Sequence, residues 1–202
     1  MSNALKLARL LQVLRSGEQL AAQTALQQSQ MTPLPWMSRA LAAQAAQERS
    51  HATIAATALT LIGERHSAVN VMHLLHKRLD HDLDKGNLTN SVLGLQGVVE
   101  HLGEALLEVL GAHAHPAGAV LHALRDKVLR QERGHVLLGT RCLQTLTTST
   151  HQLDVMEEYR ILGQTTATSV ANLLDDARLN AHAFWAIVDA RLSDWQVHAL
   201  RH

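Results

Sequence analysis

The chain has 202 residues, a formal net charge of zero, 47% hydrophobic content, three prolines and 11 glycines, enough for one well-buried domain with few internal breakers. Aromatic residues make up only 2% and there is no basic excess, which excludes the electrostatic footprint and stacking platforms of a nucleic-acid binder. The single cysteine, Cys142, excludes an intramolecular disulfide and a cysteine-based zinc or iron–sulfur site. No apolar run reaches the ~18 residues of a membrane span, and Lys6, Arg9 and Arg15 interrupt the opening segment where a leader would be apolar. A cytoplasmic protein of one domain over 1–202 is the expectation.

Ala, Leu, Gln, Glu and Arg dominate the composition while β-branched residues are sparse, so the predicted fold is all-α. A first helix is predicted over about Asn3–Gln30, with Leu7, Leu11, Leu14, Ala21 and Ala25 on one stripe and Glu18 on the same stripe. Thr32-Pro33-Leu34-Pro35 reads as a stop and restart, with Thr32 as N-cap. The second helix runs to about Gly63 with the seam Leu41, Ala45, Glu48, Ala52, Ala55, Leu59 and Ile62; His51 lies beside it. Residues 64–86, rich in His and Asp, read as a long polar crossover with one short helix at 68–79.

A third helix is predicted over about Leu88–Leu110, with Leu93, Gly97, Glu100, Glu104 and Leu107 inward. The fourth, about 117–147, carries Leu121, Leu124, Val128, Glu132, His135, Gly139, Cys142 and Leu146, which completes a bundle core over about 5–147. A short helix at 153–162 and a long C-terminal helix at 166–199 follow, the latter with Val170, Leu173, Ala177, Ala181, Phe184, Val188, Leu192 and Trp195 as a packing seam without ligands.

Two Glu-x-x-His motifs, Glu48-Arg-Ser-His51 and Glu132-Arg-Gly-His135, lie 84 residues apart. Glu and His at i and i+3 project from one helix face, so a single helix can offer a metal both a carboxylate and an imidazole. One motif alone means little, since nine Glu and 14 His in this length yield roughly 0.6 such pairs by chance. Their weight comes from the lone inward glutamates that precede them: Glu18 is 30 residues before Glu48, and Glu100 is 32 before Glu132. A duplicated helical hairpin would bring Glu18, Glu48, His51, Glu100, Glu132 and His135 to one central dimetal site. Glu104 is a further candidate, as an extra ligand, as a hydrogen-bonding neighbour, or as the third-helix ligand in place of Glu100. Gln47 and Gln131, each preceding a motif Glu, are placed to hydrogen-bond the opposite histidine. The pairs His73/His76 and His113/His115 read as solvated, Arg49 and Arg133 as ion-paired on helix flanks, and Tyr159 as structural.

In these residues the chain resembles the ferritin-like superfamily of di-iron carboxylate proteins. That superfamily includes ferritins, bacterioferritins, rubrerythrins, manganese catalases, aldehyde-deformylating oxygenases, acyl-carrier-protein desaturases and demethoxyubiquinone hydroxylases. The resemblance implies a four-helix bundle with a long crossover between its second and third helices, here with an additional long C-terminal helix. It also implies two iron ions, with manganese or a mixed Mn/Fe pair as alternatives. Departures narrow the list. One cysteine excludes a rubredoxin module, Ala52 stands where bacterioferritins carry their haem-ligating Met, and the last helix is longer than in cage ferritins.

Small residues crowd the ligand layer: Ala21, Ala22, Ala45, Ala52, Gly97, Gly103, Gly134 and Gly139. They serve either to leave an apolar cavity for an organic substrate or only to let helices approach closely. The expected function is a non-haem dinuclear iron oxygenase or oxidase, an oxidoreductase that uses O2, a small organic substrate and an external electron donor. A ferroxidase or peroxide-scavenging protein is the alternative, and a homodimer is among the assemblies considered.

Overall fold

The computed structural model describes residues 3–63, 70–111, 116–146 and 151–199, and these are helical throughout apart from short connections. Helices α1 (Asn3–Met31) and α2 (Pro35–Ile62) form the first long hairpin. On α1 the buried residues Leu7, Leu10, Leu11, Leu14, Glu18, Ala21, Ala25 and Gln28 trace the three- and four-residue steps of one helical face. Pro35 opens α2, where its missing N–H costs nothing. Thr32 does not cap this helix: its Oγ1 accepts the Leu34 N–H at 3.2 Å, which closes the turn, and Leu34 is the capping residue without a side-chain bond. Gly63, at φ 73°, ends α2 in the left-handed conformation that suits glycine.

The crossover carries α3 (His73–Asp84), several residues later than the predicted 68–79. It ends in a Schellman turn, in which the Asn87 N–H reaches the Asp82 carbonyl at 2.8 Å and the Gly86 N–H reaches Leu83 at 3.0 Å. This segment is not wholly a solvated connection, because Leu75, Leu79 and Asp82 are buried. Asp82 is held by the Tyr159 hydroxyl at 2.7 Å, Arg78 Nε at 3.0 Å and Asn90 Nδ2 at 3.5 Å. Tyr159 thus ties the crossover to a later helix, the structural role expected for it.

The third rod of the bundle has three parts: α4 (Leu88–Gly94), a π-helical stretch Leu95–Val99, and α5 (Glu100–Gly111). From Asn90 to Leu102 every residue is buried, so this rod is enclosed on all sides. Helix α6 (Pro116–Thr145) pairs with α5 and α2 to close the bundle. Helices α7 (His151–Asp176) and α8 (Ala181–Ala199) cover the outer side of the third rod. One apolar cluster links these elements from Leu7 on α1 to Trp195 on α8.

The C-terminal region departs from the predicted boundaries. Helix α7 runs through 163–165, where a break was expected, and the chain turns instead at Ala177–Asn180. Gly163 is not a breaker here: a Cβ added to it would lie 2.6 Å from Val98 Cγ1, so it serves close packing of α7 on the π stretch. The turn is a second Schellman motif, with Leu179 N–H to Leu174 O at 2.9 Å and Arg178 N–H to Asp175 O at 2.9 Å. Its left-handed position is held by Arg178 at φ 57° rather than by glycine, which hid the turn from sequence reading. Asn180 then caps α8 by accepting the Ala183 N–H at 2.8 Å. The expected turn at His113 and His115, the segment 64–69 with His66 and the stretch 147–150 lie outside the described residues.

Candidate metal centre

Six side chains converge between the four bundle rods. Glu18 comes from α1, Glu48 and His51 from α2, Glu100 from the first residue of α5, and Glu132 and His135 from α6; none is more than 5% exposed. The i,i+3 spacing puts each Glu and its His on the inward face of one helix. The π stretch acts on the third rod. Its extra residue per turn alters the phase of the helix as it enters Glu100, whose N–H bonds back to the Leu95 carbonyl.

The six form two overlapping quartets, Glu18/Glu48/His51/Glu132 and Glu48/Glu100/Glu132/His135, and in each the candidate ligand atoms lie within 4.8 Å of one another. His51 Nδ1 stands 3.3 Å from Glu18, 3.1 Å from Glu48 Oε2 and 2.9 Å from Glu132 Oε1. His135 Nδ1 stands 2.6 Å from Glu48 Oε1, 3.3 Å from Glu100 Oε2 and 3.6 Å from Glu132 Oε2. Glu48 and Glu132 therefore present one oxygen to each histidine, whereas Glu18 and Glu100 each face a single one. A metal pair held there would have Glu48 and Glu132 placed to serve both ions and Glu18 and Glu100 placed to serve one each. The imidazole rings lie 6.2 Å apart, centroid to centroid.

The outward nitrogens complete a crossed arrangement. His51 Nε2 donates to Gln131 Oε1 at 3.1 Å, and His135 Nε2 donates to Gln47 Oε1 at 2.7 Å. Each motif's preceding glutamine thus serves the histidine of the other motif, as its position suggested. A carbonyl accepts only, so in the neutral ring each glutamine fixes the proton on Nε2 and leaves the Nδ1 lone pair facing the carboxylates.

Burial and mutual charge set the protonation of the metal-free cluster. Burial, then the Glu132 charge, raises Glu18 well above the usual carboxyl range, and burial with Glu48 and Glu132 does the same for Glu100. For Glu48, burial and Glu132 oppose ionisation, but hydrogen bonds from His135 and His51 hold it below the usual range. Glu132 is likewise lowered, because hydrogen bonds with Glu100, His135 and His51 outweigh its burial. Burial would lower both histidines. Bonds to Glu132, Glu18 and Glu48 raise His51 instead, and bonds to Glu100, Glu132 and Glu48 push His135 up to about 12. Two carboxylates against two imidazoliums make the cluster neutral.

Among the described residues no Lys or Arg pairs with these four carboxylates, so their charge is left for protons or for a cation to offset. Two nitrogen and four carboxylate donors, all buried and oriented, suit a pair of divalent transition metals. The donor set therefore fits the dimetal centre that the sequence implied.

Glu104 is placed differently. It is fully buried one turn beyond Glu100, outside both quartets, and it pairs with Arg191 of α8 and with Arg133 of α6 at 3.3 Å. Arg133 is thus ion-paired as expected, whereas no ion pair is formed by Arg49 among the described residues. His73 and His76 are exposed, and His76 pairs only with Asp80, at 3.3 Å.

The small residues divide into both of the roles considered. A Cβ on Gly97 would lie 2.2 Å from the Trp195 ring, and one on Gly139 would lie 2.3 Å from Gln96 Cβ. Those two glycines admit neighbouring side chains. Ala21 and Gly103, together with Gly17, instead line a narrow cleft whose wall includes Glu18, Glu100 and Glu132. The rest of its lining is Val13, Leu14, Met72, Val99, Leu102, Leu106, Val170 and one hydroxyl residue, Thr166.

Sequence reading missed Gln28, Gln44 and Gln96, all at most 1% exposed. Gln44 Nε2 donates to Glu100 Oε1 at 2.7 Å and reaches Glu48 Oε1 at 3.4 Å. Gln44 and Gln96 each stand four residues before a candidate-ligand glutamate, and Gln28 continues the stripe of Glu18 and Ala25. Their inward phase was the available signal.

The fold and the cluster define a ferritin-like helical bundle whose buried carboxylates and histidines fit a dimetal site. No family model matches the chain, and no curated protein matches it. Among solved structures it is similar to "Protein 19 with aldehyde deformylating oxidase activity from Synechococcus", with a TM-score of 0.81 at 16% sequence identity over 100% of this chain and 95% of that one. At that identity the likeness shows the shared fold. No described helix is long and apolar enough to cross a membrane.

Proposed function

We propose that this protein is a non-haem dinuclear iron oxidase or oxygenase, with Glu18, Glu48, His51, Glu100, Glu132 and His135 as the metal ligands. The observation that carries the reading is the apolar cleft that runs to the ligand carboxylates. A centre built only to oxidise or store iron needs a polar path for a hydrated cation, and this cleft offers apolar walls instead. Two iron ions held there would supply the redox chemistry for O2 reduction, with electrons from an external donor. The chain itself does the positioning. Glu48 and Glu132 span the two half-sites, Gln47 and Gln131 orient the imidazoles, and Val99, Leu102, Leu106 and Val170 exclude water around an organic substrate.

The activity of the Synechococcus protein makes an aldehyde the first substrate class to examine. Iron-loaded protein supplied with O2, a reductant and saturated aldehydes of graded chain length should consume O2 in a substrate-dependent manner. Gly103, where an added Cβ meets nothing within 4 Å, gives a specific control: Gly103→Phe should block the cleft and abolish substrate dependence while metal stays bound. Equal O2 uptake with Fe2+ alone, unaffected by Gly103→Phe, would sink the oxygenase reading and favour a ferroxidase.

A further inference from the structure

Behind Glu100 the bundle encloses a file of neutral hydrogen-bonding side chains, Gln44, Gln96, Gln28 and Ser91, none more than 1% exposed. Burying three amides in a helical core is costly unless each is satisfied. Here each is. Gln44 donates to Glu100 Oε1 at 2.7 Å; Gln96 Nε2 donates to Gln44 Oε1 and to Gln28 Oε1, both at 3.0 Å. Gln28 Nε2 returns to Gln96 Oε1 at 3.5 Å and reaches Ser91 Oγ at 3.2 Å, and Ser91 donates to the Leu88 carbonyl at 2.8 Å.

The direction of this file follows from its first member. Glu100 ionised as a metal ligand would accept only, so Gln44 must turn its NH2 to Glu100 and its carbonyl to Gln96, which is the orientation the structure has. Gln96 must then donate to Gln44, and its own carbonyl is left for Gln28. Gln96 belongs to the π stretch and is clamped by Gly139, whose missing side chain makes room for it. The anchor of the file is therefore backbone geometry. Glu18, the corresponding ligand of the other half-site, receives no amide among the described residues.

We propose that Gln44 is a positioning residue for Glu100. It holds Oε1 in a hydrogen bond, so that Oε2, the oxygen facing His135 at 3.3 Å, is the atom offered to the metal, and Gln96 and Gln28 lock Gln44 in the donating orientation. The two half-sites, alike in ligands, then differ in one restraint: Glu100 is held to one oxygen and Glu18 is not. The inference rests on the dimetal reading given above.

Co2+ tests it, because its visible absorption weakens as oxygen ligands are added. Gln44→Met keeps the length and removes both amide groups. It should weaken Co2+ binding by about tenfold, in line with loss of a group that orients a ligand, and lower the visible absorption as Glu100 chelates through both oxygens. Gln28→Met, which touches no ligand, should shift the spectrum the same way by less, and should add nothing in the Gln44→Met background. An unchanged spectrum and affinity in folded Gln44→Met overturn the proposal, as does an undiminished Gln28→Met effect in that background. Should Gln44→Met fail to fold, an unchanged Gln28→Met spectrum overturns it alone. Wild-type protein that takes up no Co2+ refutes the dimetal reading itself, a result distinct from the others.

Discussion

Loading the centre with metal should expel protons in a number that the cluster already determines. Without metal, Glu18 and Glu100 keep their protons because burial and neighbouring carboxylates raise them, and His51 and His135 are imidazoliums held by the carboxylates around them. Glu48 and Glu132, both lowered, hold none. Metal ligation requires neutral imidazole and ionised carboxylate, so two divalent ions should displace about four protons. The cluster is neutral before and after, which is why an apolar bundle tolerates both states. Titrating the metal-free protein with Mn2+ at pH 7, by calorimetry in buffers of different ionisation enthalpy, counts the protons released. The signs also fix the stability profile. Groups raised in the folded state stabilise it fully below their unfolded values, so metal-free protein should lose thermal stability as pH rises above about 4.5, where Glu18 and Glu100 ionise in the unfolded chain, and more steeply above about 6.5, where His51 and His135 lose their protons there, through the range ending near 12 for His135. Metal should flatten or reverse that slope. Release of fewer than about two protons per chain on saturation would refute this protonation pattern, and with it the pairing of carboxylates and imidazoliums.

Three further outcomes test the arrangement. Glu132 faces both histidines and Glu18 only one, so Glu132→Ala should reduce bound metal from about two ions to well under one, while Glu18→Ala should retain about one, by elemental analysis of protein expressed with iron; equal losses would contradict the bridging assignment. Tyr159→Phe removes the hydroxyl that Asp82 accepts at 2.7 Å in a buried setting, and should cost about 1–3 kcal/mol in chemical unfolding without changing metal content. His101 is 5% exposed with neither ring nitrogen bonded, and burial, aided by Arg191, lowers it to about 4 from 6.5. Its neutral form is the folded one, so it destabilises the protein progressively as pH falls from 6.5 to about 4. His101→Leu should raise Tm most at the acidic end of that window, and a gain independent of pH would show that packing alone is responsible.

What could be read from the sequence depended on how strongly each residue conflicts with its place. An inward glutamate on an apolar stripe violates the usual pattern of burial, and four such violations at matching separations located Glu18, Glu48, Glu100 and Glu132 before any coordinates. Glutamine gives no such contrast. The chain has 14 of them, an inward one carries no charge, and its meaning depends on which oxygen it meets across the bundle. Gln47 and Gln131 were legible because they are tied to the motifs by one residue; Gln44, Gln96 and Gln28 act over separations of 52 to 68 residues, which no local pattern encodes. The same limit explains the misplaced turn. A Schellman motif is recognised by glycine, and at Arg178 the left-handed position is enforced by packing and backbone bonds instead.

Glu104 shows how partners rather than position decide a role. It has the inward phase of Glu100 one turn away, and on α5 alone nothing separates the two. The difference lies on α6 and α8, where Arg133 and Arg191 meet Glu104 while His135 and Gln44 meet Glu100. A carboxylate already neutralised by two guanidiniums has little to gain from a metal, whereas one surrounded by other carboxylates and a neutral amide has much. Helix α8 therefore bears on the candidate metal centre although it offers no candidate ligand: by pairing with Glu104 and Glu108 it leaves Glu100 as the α5 carboxyl without a guanidinium partner among the described residues. Replacing Arg191 should then release Glu104 to compete as a ligand, so Arg191→Met should change the visible spectrum of the Co2+ derivative while Arg191→Lys, which keeps the charge, should not. Identical spectra for both variants would show that the distance between Glu104 and the cluster, rather than its ion pair, keeps it out of the coordination shell.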